Sequence, residues 1–136
     1  MVVPNVRIEG FDIFDTVLTC SVVPPQAVFI LLGRRLLEKG CLSISPEFFA
    51  VQREQAEARC AQNLGHSTSI YDIYNELASA LHLDDDLRDE LVRQEFEFEK
   101  TITYVVDSGR KHLDEARKNG RRIIFVSDMY LPEALL

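Results

Sequence analysis

The pattern of apolar and polar residues along the chain predicts five helices and two strands. In four consecutive segments between residues 24 and 100, apolar side chains recur every three or four positions, which is typical of helices with one buried face. A fifth, shorter segment of this kind lies between Asp107 and Gly120. Residues 6–13 and 121–126 contain short apolar runs that indicate strands instead, the second of them covered on both faces in a parallel sheet.

Start and stop signals support these helix boundaries. Prolines or capping residues precede the predicted helices, and glycines follow several of them. We interpret an acidic run before the fourth helix as capping charge rather than a calcium site, because the glycine and final glutamate of an EF-hand loop are missing. The signals are Pro24, Pro25 and Gly40 for the first helix, Ser45 and Pro46 for the second, Ser69 and Asp72 for the third, and Asp84 to Asp86 for the fourth.

The order of these elements indicates the fold class. A helix that is followed by an apolar strand, as at residues 107–126, is half of a βαβ unit. A chain of 136 residues has the length of one ordinary domain. The sequence therefore predicts a single α/β fold in which a parallel sheet is interrupted by a long helical segment.

The composition is that of a folded chain that does not favour nucleic acid or membranes. Hydrophobic residues make up 46% of the chain and charged residues 27%, which is sufficient for a packed core. The net charge of -7 opposes nonspecific binding to nucleic acid or to an anionic membrane. No apolar stretch approaches the ~20 residues that span a bilayer, and the first residues do not resemble a signal peptide. We therefore expect a cytoplasmic protein.

The cysteines and histidines do not have the spacing of a metal site or of a disulfide framework. We interpret the cysteines as reduced thiols and the histidines as structural or solvated side chains. These residues are Cys20, Cys41 and Cys60, and His66, His82 and His112.

Polar residues follow both predicted strands. Asp12, Asp15 and Thr16 come at the end of the first strand, and Ser127 and Asp128 at the end of the last. Ligands bind at the carboxyl ends of the strands in open α/β sheets. An aspartate there can attack phosphorus or carbon, or bind Mg²⁺, and a serine hydroxyl can hold a phosphoryl oxygen. The alternative is that these residues only cap loops and turns.

Two segments carry a family resemblance. Phe-Asp-Ile-Phe-Asp-Thr-Val-Leu at residues 11–18 and Ile-Ile-Phe-Val-Ser-Asp-Met-Tyr-Leu-Pro at residues 123–132 resemble the first and second motifs of the haloacid dehalogenase superfamily of hydrolases. The resemblance is closest to a bacterial branch of predicted hydrolases. It implies a partial Rossmann-like core formed by residues 1–22 and 101–136, with an α-helical cap inserted at residues 23–100.

The resemblance also implies a reaction and a set of site residues. The expected activity is that of a Mg²⁺-dependent phosphatase, which acts on a small phosphorylated metabolite through an aspartyl-phosphate intermediate. Asp12 matches the nucleophile, which also binds Mg²⁺ together with the backbone carbonyl of Phe14. Ser127 matches the hydroxyl that contacts the transferred phosphoryl group. We assign substrate binding to Thr16, Asp15 and Asp128.

The match to the first motif has one departure. Phosphatases of this family have a second aspartate two residues after the nucleophile as general acid and base, but that position is Phe14 here. The nearest carboxylate is Asp15. A register with Asp15 as the nucleophile is the alternative, but it would leave Asp12 within the strand and would lose the match of residues 16–18.

The family's third motif, a basic residue, and its fourth, an acidic pair, have no counterpart after the second motif. We therefore expect little turnover from these 136 residues alone. A noncatalytic module that pairs with a partner chain through an exposed sheet edge is the alternative function. A phosphoacceptor switch, in which Asp12 is phosphorylated but not hydrolysed, is a third.

Overall fold

A computed structural model describes residues 8–13, 17–20, 24–65 and 68–127. These residues form a mixed α/β structure that is mostly helical, which confirms the predicted class. In chain order the elements are β1 (Ile8–Asp12), β2 (Leu18–Cys20), α1 (Pro25–Glu38), α2 (Pro46–Leu64), α3 (Ile70–Leu81), α4 (Asp85–Ile102), β3 (Thr103–Val105), α5 (Asp107–Lys118) and β4 (Arg122–Val126). The elements divide between two compact units: the strand unit contains β1 to β4 and α5, and the helical unit contains α1 to α4.

The strand unit contains the predicted parallel sheet, formed by β1 and β4. Their register pairs Phe11 with Phe125 and Asp12 with Val126. At the opposite end of the strands, Arg121 donates a 2.7 Å hydrogen bond to Glu9. The sheet packs on α5 through a small apolar cluster, because α5 turns one apolar face inward. The cluster consists of Phe11, Val17, Leu113 and Ala116, with Leu18 and Ile123 at its border.

The exposure of β4 differs from the prediction. The apolar run was expected to be covered on both faces, but Ile124, Phe125 and Val126 are 43%, 49% and 60% exposed. Among the described strands, β1 is the one neighbour of β4. An apolar run indicates that a strand can be buried, but it does not show which part of the molecule buries it.

A second, antiparallel pair was not predicted. β2 pairs with β3, with Thr19 opposite Tyr104 and Cys20 opposite Thr103. Strands of three residues are too short to show the alternation that identifies a strand in a sequence. The pair lies where the chain leaves the strand unit for α1 and returns to it after α4.

The helical unit is built on the apolar faces that the sequence predicted. α1 packs on α2 and α4, and α3 packs on α2 and α4. Its core contains fully or almost fully buried apolar side chains, each of which contributes roughly 1.5–3 kcal/mol by leaving water. They include Leu32, Leu36, Phe49, Ile70, Ile73, Leu77 and Leu91. Among the described residues, no helix combines the length and the apolar character needed to cross a bilayer.

The predicted caps of three helices form as expected. Ser45 caps α2 by accepting a hydrogen bond from the Phe48 amide at 3.2 Å, and Asp84 accepts one from the Leu87 amide at 2.8 Å before α4. At α3 the Ser69 hydroxyl accepts from the Asp72 amide, while an Asp72 carboxylate oxygen accepts from the Ser69 amide at 2.9 Å. This is a complete capping box.

The capping box makes stability depend on pH. The hydrogen bonds from Ser69 hold the pKa of Asp72 below its usual value. Because the folded pKa lies below the unfolded one, the stabilisation is complete above the unfolded value of about 4 and disappears as the pH falls through the folded value. We expect Asp72→Ala to lower the free energy of unfolding by about 1 kcal/mol at pH 7.

Urea denaturation followed by circular dichroism at neutral and at acidic pH measures this effect. The difference between Asp72→Ala and the wild type should shrink at the acidic pH. Asn75→Ala, an exposed change on the same helix, should show no such trend. A difference for Asp72→Ala that stays constant with pH would contradict the assigned role of the carboxylate.

Candidate functional site

The carboxyl ends of β1 and β4 bring two of the predicted site residues to one edge of the sheet. Asp12 is the last residue of β1, and its pairing partner Val126 is the last residue of β4. Ser127 follows directly and is half-buried. Paired strands lie about 4.8 Å apart. Asp12 and Ser127 therefore leave neighbouring strands at the same end of the sheet.

The backbone around Asp12 is well anchored. The amide of Ile13 donates a 3.1 Å hydrogen bond to the carbonyl oxygen of Val126, which continues the ladder one residue past Asp12. Phe11 and Ile13 are buried, whereas Asp12 between them is exposed. The two apolar neighbours hold the chain against the core, and the carboxylate remains accessible to a ligand.

Val17 and Leu18 are hydrogen-bonded to the residue that follows β1. The carbonyl oxygen of Ile13 accepts hydrogen bonds from the amides of Val17 and Leu18, at 2.9 and 2.8 Å. The Val106 amide in turn donates to the Val17 carbonyl oxygen at 2.7 Å. These bonds tie β1 to the start of β2 and to the residue that precedes α5. The bond between Val106 and Val17 joins segments that are far apart in the chain, so no local sequence pattern predicted it.

Four other predicted site residues lie outside the described residues. They are Phe14, Asp15, Thr16 and Asp128. The geometry of the site is therefore known for Asp12 and Ser127 alone.

One described residue at this edge, Asp12, has a side chain of the kind that binds Mg²⁺. Mg²⁺ is commonly bound by one or two carboxylates, with water and substrate phosphate oxygens as the remaining ligands. Asp12 supplies one exposed carboxylate at the strand ends. Within the described ranges, no group of three or more histidine, cysteine or acidic side chains is placed to hold a metal ion.

A cleft in the helical unit, between α2 and α3, is a less suitable site. Its volume is about 280 Å³. Cys60, which lines this cleft, is 2% exposed. Its burial raises the pKa of its thiol, and the negative charge of Glu76 raises this pKa further. A protonated, buried thiol is a poor nucleophile, which agrees with a structural role. The cleft is lined by Cys60, Asn63, Leu64, Asp72, Asn75 and Glu76.

Comparison with known proteins adds no assignment: no protein-family model matches the chain, and no curated protein matches it either.

Proposed function

We propose that the chain carries the phosphoryl-accepting site of a hydrolase of the haloacid dehalogenase type. In this proposal Asp12 is the nucleophile, Ser127 binds the phosphoryl group, and the substrate is a small phosphorylated metabolite. The helical unit corresponds to the cap of that superfamily and selects the substrate.

The parallel register of β1 and β4 is the observation that supports this proposal. It pairs Asp12 with Val126, so that Ser127 follows at the edge where α/β sheets bind ligands. A turn or loop cap would explain either residue alone. It would not explain why the exposed carboxylate of Asp12 and the hydroxyl of Ser127 both lie at the carboxyl ends of two paired strands.

The proposed reaction has two displacements. An Asp12 carboxylate oxygen bonds to phosphorus while the bond to the leaving oxygen of the substrate breaks, and the leaving oxygen takes up a proton from water. Water then attacks the acyl phosphate, releases inorganic phosphate and restores the carboxylate. The Ser127 hydroxyl donates a hydrogen bond to a phosphoryl oxygen and keeps the group in line with the attacking carboxylate.

Mg²⁺ is the proposed cofactor. Asp12 and the backbone carbonyl of Phe14 would hold the ion, which would neutralise charge on the phosphoryl oxygens. One carboxylate with waters and phosphate oxygens is compatible with the ligands that Mg²⁺ accepts.

Phosphorylation of the chain by acetyl phosphate tests the nucleophile directly. With Mg²⁺ present, intact-mass spectrometry should detect one phosphoryl group on the protein, and hydroxylamine should remove it because acyl phosphates are labile. Asp12→Asn should abolish the label. Ser127→Ala should slow labelling by about 10- to 100-fold, since it removes one hydrogen bond to a charged group.

Two further variants make the experiment decisive. Asp114→Asn removes an exposed carboxylate on α5 and should be labelled like the wild type. Asp15→Asn tests the alternative register. If Asp15→Asn were not phosphorylated while Asp12→Asn still was, Asp15 would be the nucleophile. Equal labelling of the wild type and Asp12→Asn would contradict the proposed role of Asp12.

A further inference from the structure

A pocket on the surface of the helical unit lies between α3 and α4, and it is called the aromatic pocket below. Its volume is about 280 Å³, near the lower end of the range for small-molecule sites, which begins at about 300 Å³. The four α4 residues that line it are spaced i, i+3, i+4 and i+7, so they share one face of that helix. The lining residues are Tyr71 of α3 and Asp89, Val92, Arg93 and Phe96 of α4.

Two aromatic rings form a corner in this pocket. The rings of Tyr71 and Phe96 are nearly perpendicular, at 81°, and their centroids are 6.4 Å apart. Tyr71 is 53% exposed and Phe96 is half-buried, so both rings can be reached by a ligand. A third ring could stack on one of them and meet the edge of the other, which are the arrangements that aromatic rings prefer. The corner therefore suits an apolar or aromatic group.

Two opposite charges line the same pocket without pairing with each other. Asp89 precedes Arg93 by four positions on α4, a spacing that normally favours a salt bridge between them. Instead, Arg88 donates to Oδ1 of Asp89 at 2.9 and 3.0 Å. Nε and Nη2 of Arg93 donate to Glu90 at 2.9 and 2.6 Å.

These bonds leave one polar atom of each side chain for a ligand. Among the hydrogen bonds between described residues, none reaches Oδ2 of Asp89 or Nη1 of Arg93. Both side chains are mostly exposed, so solvent or a ligand can contact these atoms. The pocket therefore offers an acceptor with negative charge and a donor with positive charge beside an aromatic corner.

We infer that the aromatic pocket binds a small zwitterion with an apolar or aromatic side chain, of the amino-acid class. The ammonium group of the ligand binds Asp89, its carboxylate binds Arg93, and its side chain packs in the aromatic corner. A ligand with a positive charge alone would be repelled by Arg93, and one with a negative charge alone would be repelled by Asp89. Charge complementarity thus favours a ligand that has both charges.

This inference does not depend on the proposed function, because none of the lining residues belongs to the proposed phosphoryl site. Binding of the zwitterion can therefore succeed or fail whether or not Asp12 is a nucleophile. The pocket also lies wholly within the helical unit, so it requires no particular placement of the strand unit.

Nuclear magnetic resonance titration of the isotope-labelled 136-residue chain with L-phenylalanine tests the inference. Saturable shifts should appear at amides of α3 and α4 around the pocket, with a dissociation constant on the order of 1 mM for so small a ligand. Phenylalaninamide lacks the carboxylate and N-acetylphenylalanine lacks the ammonium group. At about pH 6, where free amines are protonated, each should bind about three- to tenfold more weakly than phenylalanine.

Variants assign each half of the ligand to its partner. Arg93→Gln should abolish the preference for phenylalanine over phenylalaninamide, and Asp89→Asn should abolish the preference over N-acetylphenylalanine. These are ratios within one variant, so a general loss of binding would not imitate them.

An aromatic variant and its control complete the test. Tyr71→Ala should weaken phenylalanine binding by about three- to tenfold, because one face of the corner is lost. Tyr104→Ala removes a similarly exposed ring from the strand unit, 54% exposed, and should leave binding unchanged. The inference would be overturned by a lack of saturable shifts in α3 and α4, by a wild type that binds all three compounds equally, or by charge variants that keep the wild-type preferences.

Discussion

Replacing Glu95 by alanine should lower the free energy of unfolding by about 3–5 kcal/mol, because a buried guanidinium would lose its counter-ion. Glu95 is 1% exposed and Arg53 is fully buried. Urea denaturation followed by the helical circular dichroism signal would measure the loss. It is the largest stability effect that we expect from a single substitution in the helical unit.

The size of this effect follows from the geometry of the pair. Arg53 donates from Nε to Oε2 of Glu95 at 2.9 Å and from Nη2 to Oε1 at 2.8 Å, so the contact is bidentate. The Tyr74 hydroxyl donates to Oε2 at 2.5 Å. The guanidinium carbon also lies 4.6 Å from the centre of the Phe29 ring. Glu57 binds the remaining side of the guanidinium at 2.8 Å, but it is 40% exposed and cannot replace a buried partner.

Two controls distinguish a buried pair from an ordinary surface charge. Glu97→Ala, on the same helix, removes an exposed carboxylate that pairs with Lys100, and should cost no more than about 1 kcal/mol. The double variant Arg53→Met/Glu95→Leu should recover most of the stability that Glu95→Ala loses, because neither charge remains to be desolvated. A loss for Glu95→Ala as small as that for Glu97→Ala would contradict the assignment.

Gly33→Ala should destabilise the helical unit by about 1–3 kcal/mol, although alanine is the better helix former by up to about 1 kcal/mol. A Cβ atom at this position would lie 2.9 Å from Cα of Pro46 and 3.0 Å from its carbonyl oxygen. Both atoms belong to the backbone at the start of α2, so they cannot move aside as a flexible side chain would. Gly33 therefore sets how closely α1 and α2 approach each other.

Thermal unfolding of Gly33→Ala beside Arg34→Ala would measure this effect. Arg34 is the next residue of α1 and is exposed, so its replacement should change stability by less than about 0.5 kcal/mol. An increase in stability for Gly33→Ala would show that the start of α2 can shift to accommodate a methyl group.

The helices were predictable because their signals are local. Caps such as Ser69 with Asp72 and the apolar spacing along each helix depend on residues within a few positions of one another. The buried pair was not predictable. Charged side chains are usually exposed, so nothing in the local pattern around Arg53 or Glu95 indicates burial, and their contact spans 42 positions of the sequence.

The candidate site was predictable in part, because the motifs that mark it are also local in the sequence. The family resemblance proposed Asp12 and Ser127 as site residues from short motifs, and the apolar runs before them predicted the strands that the structure contains. The register that brings the two residues to one edge is a long-range property, fixed by the pairing of Phe11 with Phe125 and by packing on α5. The exposure of β4 also depends on neighbours that a local pattern does not specify.

The pairing of Cys20 with Thr103 has a consequence for the order of folding. Glu9 and Arg121 meet although 112 positions separate them, and closing so long a loop in an unfolded chain costs entropy and slows folding. The helical unit forms from contacts between successive helices and can condense first. Once β2 and β3 join the two ends of that segment, the remaining loop between β1 and β4 is short, so the parallel sheet should be the last part of the chain to assemble.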